Sequence, residues 1–141
     1  MNPFDIGGKS ILITGSTSGI GFEMSKEFNK SEACLTLLGR DQKKIDRLEQ
    51  LLENKLSTKF IKGDLIKDLD YIASQIDCLD GIVFNAGIVD YKPLKFIDET
   101  DFLKLFQTNY FSSIYLLKKL IKKRKINKSA SIVFISSLSS T

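Results

Sequence analysis

Five short apolar runs recur along the chain with helical patterns between them, and this alternation constrains the fold more than any other feature. The runs lie at 10–14, 33–38, 59–61, 81–85 and 131–136. Between them apolar residues return every third or fourth position, as Ile20, Met24 and Phe28 do. Strands that alternate with helices are joined by right-handed βαβ crossovers. The sequence therefore predicts the α/β class, with a doubly wound parallel sheet of five strands.

The longest helical pattern runs from about 100 to 125 and predicts a single amphipathic helix. Its apolar residues fall on one stripe, which consists of Leu103, Phe106, Tyr110, Ile114, Leu117 and Ile121.

The totals fit one globular domain. The chain has 141 residues, of which 43% are hydrophobic and 27% charged, and neither a repeat nor a Pro/Gly-rich linker divides it, so 1–141 is predicted to be a single domain. It contains no histidine, which excludes a Ser-His-Asp triad and every histidine-bearing zinc motif, and no metal site is expected.

The cysteines and the amino-terminal sequence indicate the cellular compartment of the protein. Cys34 and Cys78 each have at least one apolar neighbour and are predicted to be buried and reduced. The amino terminus carries an acid and no apolar core of a signal peptide, and no apolar run approaches the ~20 residues of a spanning helix. We therefore expect a cytoplasmic protein without a membrane partner.

A glycine-rich stretch, TGSTSGIG at 14–21, follows the first predicted strand and opens the first helix. Gly15 suits a tight turn, Gly19 lets the backbone approach a pyrophosphate, and Gly21 lets the helix lie close to the sheet. Free N–H groups at the helix start attract phosphates. The predicted phosphate-binding residues are Gly15, Ser16, Thr17, Ser18, Gly19, Ile20 and Gly21. The alternative is an ordinary strand-to-helix turn whose glycines serve geometry alone.

Further motifs occur in order along the chain. They are FDIGGKSILITG at 4–15, GDL at 63–65, FNAG at 84–87, TNYFS at 108–112 and IVFISS at 132–137. With the Gly-x-x-x-Gly-x-Gly spacing of the turn, they resemble the short-chain dehydrogenase/reductase family over the whole chain. The resemblance implies a Rossmann-type fold, a nicotinamide dinucleotide cofactor and oxidoreductase activity.

Cofactor choice is predicted from Arg40, which stands just past the second strand. An arginine there accommodates the 2′-phosphate of NADP, whereas an acid grips the 2′-hydroxyl of NAD. NADP(H) is the predicted cofactor, and NAD(H) stays the alternative because Ser18 is not the basic residue that many NADP-binding members place in the turn. A solvated charge at a helix start is the other interpretation of Arg40.

The same resemblance assigns residues to the adenosine half of the cofactor. Asp64 and Leu65 correspond to the family's adenine-binding turn, and Asn85, Ala86 and Gly87 end the fourth strand where small residues let the ribose pass. Helix caps or turns are the alternative roles for these residue types.

Catalytic roles also follow from the resemblance. Ser137 corresponds to the serine that bonds the substrate carbonyl, with Ser136 as the neighbouring alternative, and Asn109 to the asparagine that holds a water in a proton relay. The family's general acid is a tyrosine in a Tyr-x-x-x-Lys motif beyond that serine. Tyr115 has Lys119 four positions on but precedes the serine strand, and is rejected. We therefore expect the domain to be incomplete at its carboxyl end and inactive alone.

The resulting hypothesis is an NADP(H)-dependent reductase or dehydrogenase of a small-molecule carbonyl/alcohol pair. A 3-oxoacyl carrier-protein reductase is one possibility, and a homo-oligomer is expected of a full-length chain. The alternative is a non-catalytic NADP(H)-binding module or an inactive fragment. Seven basic residues lie between Lys118 and Lys128 and could suggest nucleic acid. Cations are favoured at a helix carboxyl end in any case, so no nucleic-acid partner is expected.

Overall fold

A five-stranded parallel sheet forms the centre of the protein, in a computed structural model that describes residues 5–89 and 91–137. The strands are β1 (Ser10–Thr14), β2 (Cys34–Gly39), β3 (Thr58–Lys62), β4 (Leu79–Phe84) and β5 (Ile126–Phe134). The helices are α1 (Gly19–Lys30), α2 (Gln42–Leu51), α3 (Leu69–Gln75), α4 (Glu99–Phe106) and α5 (Ser112–Lys122). The predicted doubly wound fold is confirmed.

Strand order across the sheet is β3-β2-β1-β4-β5, and every neighbouring pair is parallel. The chain therefore leaves β1 in one direction to build β2 and β3, then returns to build β4 and β5 on the other side. Between β1 and β4 the winding reverses, and a crevice opens at the carboxyl ends of the strands, where doubly wound proteins bind ligands.

Apolar side chains pack on both faces of the sheet. Because side chains alternate along a strand, Leu12 faces one cluster with Ile82 and Leu116, while Ile13 faces the other with Leu37. Leu12 and Ile13 are fully buried, which places β1 at the centre of the core.

Helix α1 packs on the sheet through small and polar residues and through two members of its predicted apolar stripe, Met24 and Phe28, which are partly buried against the core. Its buried residues are Gly21, Ser25 and Asn29, whereas Ile20 is 59% exposed. The small residues Gly21 and Ser25 on its inner face let α1 lie close to the strands.

The predicted helix over 100–125 is real in extent but not uniform. A π-helical segment, Gln107–Phe111, separates α4 from α5. Four of the six stripe residues, Leu103, Phe106, Tyr110 and Ile121, are each more than half exposed, whereas Leu117 packs against the core. The face against the core carries two serines and two leucines, which are Ser112, Ser113, Leu116 and Leu120.

Two further expectations are wrong. Strand β5 begins at Ile126 instead of 131 and ends at Phe134, because the polar residues before Ser131 continue the backbone pairing with β4 through a register shift. Cys34 and Cys78 are exposed free thiols, since each lies at or just before the start of a strand, below the packed layers.

Asn29 connects the end of α1 to the segment between α2 and β3. Its Nδ2 donates to the carbonyl of Asn54 at 3.0 Å and to Oγ1 of Thr58 at 3.1 Å, while its Oδ1 accepts the amides of Glu53 and Asn54 at 2.9 Å. The side chain is 1% exposed, so its four hydrogen bonds satisfy a buried amide completely.

Asp80 joins three strands at the amino edge of the sheet. Its carboxylate accepts the Ser10 amide at 2.9 Å and Nδ2 of Asn127 at 2.7 Å. Both bonds favour the charged form, with the Ser10 amide the larger influence, and they lower the pKa of Asp80 below its ordinary value of 3.8.

The basic run contributes to the fold at the end of α5. Lys119 pairs with Asp70 at 2.5 Å, and Nζ of Lys125 donates to the carbonyls of Ala73, Ser74 and Ile76 at the end of α3.

In the described ranges no helix is long and apolar enough to cross a membrane.

Candidate functional site

A cleft of about 570 Å³ opens at the carboxyl ends of β1, β2, β3 and β4. Eight of the predicted cofactor residues line it, namely Gly15, Thr17, Ser18, Arg40, Asp64, Leu65, Ala86 and Gly87. The structure thus brings residues from four separate motifs to one side of the sheet. A second cavity of about 870 Å³ adjoins it through Thr17, Ser18 and Lys44, and Gly19 and Ile20 line this neighbour.

The three glycines of the turn differ in what surrounds them. A Cβ at Gly15 would stand 2.8 Å from Cα of Ala86, and one at Gly21 would stand 2.3 Å from the Gly15 carbonyl oxygen. These two are required by packing. Gly19 has φ +54°, and apart from its chain neighbours and the backbone of its own helix no atom lies within 4 Å of its Cβ position, so the backbone there is open to a ligand. This open side is the observation that fits a bound pyrophosphate.

Hydrogen bonds tie the turn to β4. Thr14 Oγ1 accepts the amides of Asn85 and Ala86 at 3.0 Å, and Nδ2 of Asn85 donates to the Gly15 carbonyl at 3.1 Å. Asn85 therefore supports the turn from behind instead of lining the cleft. Thr14 was not among the predicted site residues, although a strand-end threonine beside the glycine turn was the signal for it.

The hydroxyls of the turn divide into two kinds. Ser16 is fully buried and its hydroxyl donates to the Leu38 carbonyl at 3.1 Å, so it is bonded to β2 and does not line the cleft. Thr17 and Ser18 line the cleft. Ser18 is the N-cap residue of α1 but makes no side-chain capping bond, which leaves the helix start available to an anion.

Arg40 and Asp64 lie next to each other in the lining of the cleft. Nη1 of Arg40 lies 3.8 Å from Oδ2 of Asp64, with the arginine side chain 65% exposed. The other carboxylate oxygen, Oδ1, accepts the amides of Ile66 at 2.8 Å and Lys67 at 3.4 Å, which shapes the turn after β3. One oxygen of Asp64 thus holds its own turn and the other faces the cation.

Asn109 lies in the π-helical segment and holds the chain that follows β4. Its Oδ1 accepts the Ile88 amide at 2.7 Å and its Nδ2 donates to the Ile88 carbonyl at 2.8 Å. The paired bonds satisfy one residue's backbone completely and fix Gly87, whose Cβ position is 3.3 Å from Oδ1 of Asn109. Asn109 itself is not among the lining residues, whereas its neighbour Thr108 is.

Ser137 follows β5 on the same edge of the sheet and is exposed. The strand before it is tied to β4 because the Ile135 amide donates to the Phe84 carbonyl at 2.9 Å. Ser137 does not line the cleft of about 570 Å³.

Sequence reasoning missed several lining residues. Asp41, Lys44, Thr108 and Ser112 all contribute side chains or backbone to the cleft. Lys44 could have been found, because it stands in the first turn of the helix that begins just after Arg40. Among residues 5–89 and 91–137, no group of three or more Cys, Asp or Glu side chains could hold a metal ion.

The reversal of winding at β1 and β4, with a glycine turn and a cleft above it, defines a doubly wound α/β protein with a cleft at its switch point. The chain belongs to the short-chain dehydrogenase family, whose model matches residues 9–141.

Three similar proteins illustrate the relationship. A 3-oxoacyl-(acyl-carrier-protein) reductase of Rickettsia bellii is 27% identical over 95% of this chain and 56% of its own length. A short-chain dehydrogenase/reductase from Brucella melitensis, described as a glucose/ribitol dehydrogenase, superposes with a TM-score of 0.84 at 25% identity, over 96% of this chain and 60% of its own. A short-chain dehydrogenase from Escherichia coli CFT073, solved with NADPH, gives 0.79 at 26% identity, over 94% and 60%. The chain thus spans a little more than half the length of these proteins.

Proposed function

We propose that this chain binds NADP(H) and serves an oxidoreductase that interconverts a carbonyl and an alcohol. The observation that carries the cofactor choice is Arg40, which stands in the cleft one residue beyond β2 with an exposed guanidinium. A planar guanidinium binds a phosphate through two parallel hydrogen bonds. The solved relative with NADPH supports the same choice.

Each part of the cleft then has a role. The start of α1, with Thr17 and Ser18 and the open backbone at Gly19, binds the pyrophosphate. Asp64 and Leu65 hold the adenine, and Ala86 and Gly87 leave room for the ribose because they carry little or no side chain. Ser16, Gly21 and Asn85 act behind the cleft, where they keep the turn in place.

At the reacting end, the bound dinucleotide supplies or accepts the hydride. Ser137 polarises the substrate oxygen by donating a hydrogen bond to it, and Asn109 keeps the chain after β4 in position through its two bonds to Ile88. A 3-oxoacyl thioester is the substrate class that the Rickettsia relative's name suggests. The homo-oligomer and the cytoplasmic location stay predictions.

The test compares two variants with the same charge change. Arg40→Asp should lower the affinity for NADPH relative to NADH by at least ~10-fold, because a charge-assisted bond to the 2′-phosphate is replaced by repulsion. Arg124→Asp, after α5 at the opposite edge of the sheet, should leave the ratio unchanged. Titration of intrinsic cofactor fluorescence measures both affinities, and equal ratios in the Arg40 variant and the wild type would refute the cofactor assignment.

A non-catalytic binding module is the second candidate, and the same titration does not separate it from an enzyme. NADPH oxidation against a panel of ketones and 3-oxoacyl thioesters does, when it is measured on the protein as the cell makes it. An enzyme shows substrate-dependent oxidation that Ser137→Ala lowers, whereas a binding module shows none with either protein.

A further inference from the structure

The wall of the cleft beside Arg40 carries four charged residues, two of each sign: Arg40, Lys44, Asp41 and Asp64. A 2′-phosphate carries close to two negative charges near neutral pH, so its binding depends on how these four are arranged.

The two carboxylates are used in different ways. Oδ1 of Asp41 accepts the amides of Lys43 at 2.9 Å and Lys44 at 3.3 Å and thereby caps α2. Oδ2 of Asp64 lies 3.8 Å from Arg40, so a phosphate bound by that guanidinium would come near a like charge. Asp64 therefore offsets part of the positive charge that Arg40 alone offers to a doubly charged phosphate.

Lys44 supplies a second cation at the same wall. It stands in the first turn of α2, it is exposed, and it lines both the cleft and the cavity that adjoins it. Its side chain begins one turn beyond Arg40, on the helix end whose dipole also favours an anion. A flexible ammonium with three donors can reach a phosphate that a fixed guanidinium has already oriented.

We propose that Lys44 is a specificity-determining residue that binds the 2′-phosphate of NADP(H) together with Arg40. This inference rests on the proposed function and deepens it. Lys44 offsets the repulsion from Asp64, and it makes no comparable contribution to NAD(H), which has only a hydroxyl at that position.

Lys43 offers a matched control in the same helical turn. It has the same charge and is also exposed, but it lines neither cavity. Lys44→Gln should weaken NADPH binding about 10-fold, the range of one charge-assisted hydrogen bond, and change NADH binding less than 2-fold. Lys43→Gln should change both affinities less than 2-fold, and Lys44→Arg should keep the NADPH preference.

The measurement is equilibrium titration of wild type and the three variants with NADPH, NADH, 2′,5′-ADP and 5′-AMP, with circular dichroism to confirm that each variant is folded. Loss of preference for the 2′-phosphorylated ligands in Lys44→Gln alone supports the proposal. Equal effects of Lys44→Gln and Lys43→Gln would overturn it, since they would show that any positive charge on this helical turn attracts the ligand. If Arg40→Asp shifts the cofactor ratio and Lys44→Gln does not, the proposed cofactor stands and the role of Lys44 is refuted. If wild type itself shows no NADPH preference, both fail.

Discussion

Replacing Asn29 by alanine should destabilise the fold by about 3 kcal/mol. The substitution removes four hydrogen bonds of a side chain that is 1% exposed. At a net contribution of about 1 kcal/mol each the loss would be about 4 kcal/mol, and we reduce it because water can reach the exposed Glu53 and Asn54 once the amide is gone. A change of this size is a large share of a single domain's stability.

Urea unfolding followed by far-UV circular dichroism measures the change, with the midpoint compared at equal slope. Thr58→Val serves as a graded comparison, because it keeps the shape of the side chain while it removes the bond from Asn29 and the bond that the Thr58 hydroxyl donates to the Asn54 carbonyl at 3.2 Å. It should cost about 2 kcal/mol alone, at about 1 kcal/mol for each bond, and about 1 kcal/mol in the Asn29→Ala background, since the bond shared with Asn29 is already lost there. A free energy of unfolding for Asn29→Ala within about 0.5 kcal/mol of wild type would show that the buried amide does not hold the α2–β3 segment.

Two further outcomes are expected. The pKa of Asp80 is lower in the folded protein, so its carboxylate stabilises the fold above the unfolded pKa of 3.8 and loses that contribution as the pH falls through the folded pKa. Asp80→Asn should therefore lose less stability than wild type below about pH 4, as measured by urea unfolding across that range. An unchanged pH profile would count against the three-strand junction. Gly21→Ala should lower the melting temperature strongly, because its Cβ would stand 2.3 Å from the Gly15 carbonyl oxygen, whereas a variant that melts like wild type would show that α1 can shift outward freely.

Strand existence and the location of the cleft were predictable, because they depend on local pattern and on topology. Apolar runs of β-type residues marked all five strands, and parallel strands bring their carboxyl ends to the same edge. Arg40 and Gly15 could thus be placed at one site from the sequence, although they are separated by two elements. The spacing and order of the motifs also indicated the short-chain dehydrogenase/reductase family.

Side-chain direction was much less predictable. An apolar stripe on α1 and on the long helix suggested the buried face, yet Ser25 and Ser112 are buried while Ile20 and Phe106 are exposed. Periodicity reports which residues share a face of a helix but not which face the sheet can approach most closely. Whether a hydroxyl points into a cleft or back to a neighbouring strand, as Ser16 does, depends on contacts from β2 that local sequence does not contain.

The place of β1 at the centre of the sheet also sets an order of events during synthesis. Oγ1 of Thr14 accepts amides that are 71 and 72 residues later in the chain, and β1 has no neighbour on that side until β4 has been made. At typical translation rates those residues emerge roughly 4 to 14 s after the glycine turn leaves the ribosome. During that interval the nascent chain can pair β1 with β2 and β2 with β3, but the other edge of β1 keeps unpaired backbone groups that can pair with another chain. The glycine turn is thus among the first segments to be synthesised and among the last to reach its final conformation. We therefore expect β1 to be the strand that most needs protection by a chaperone during synthesis.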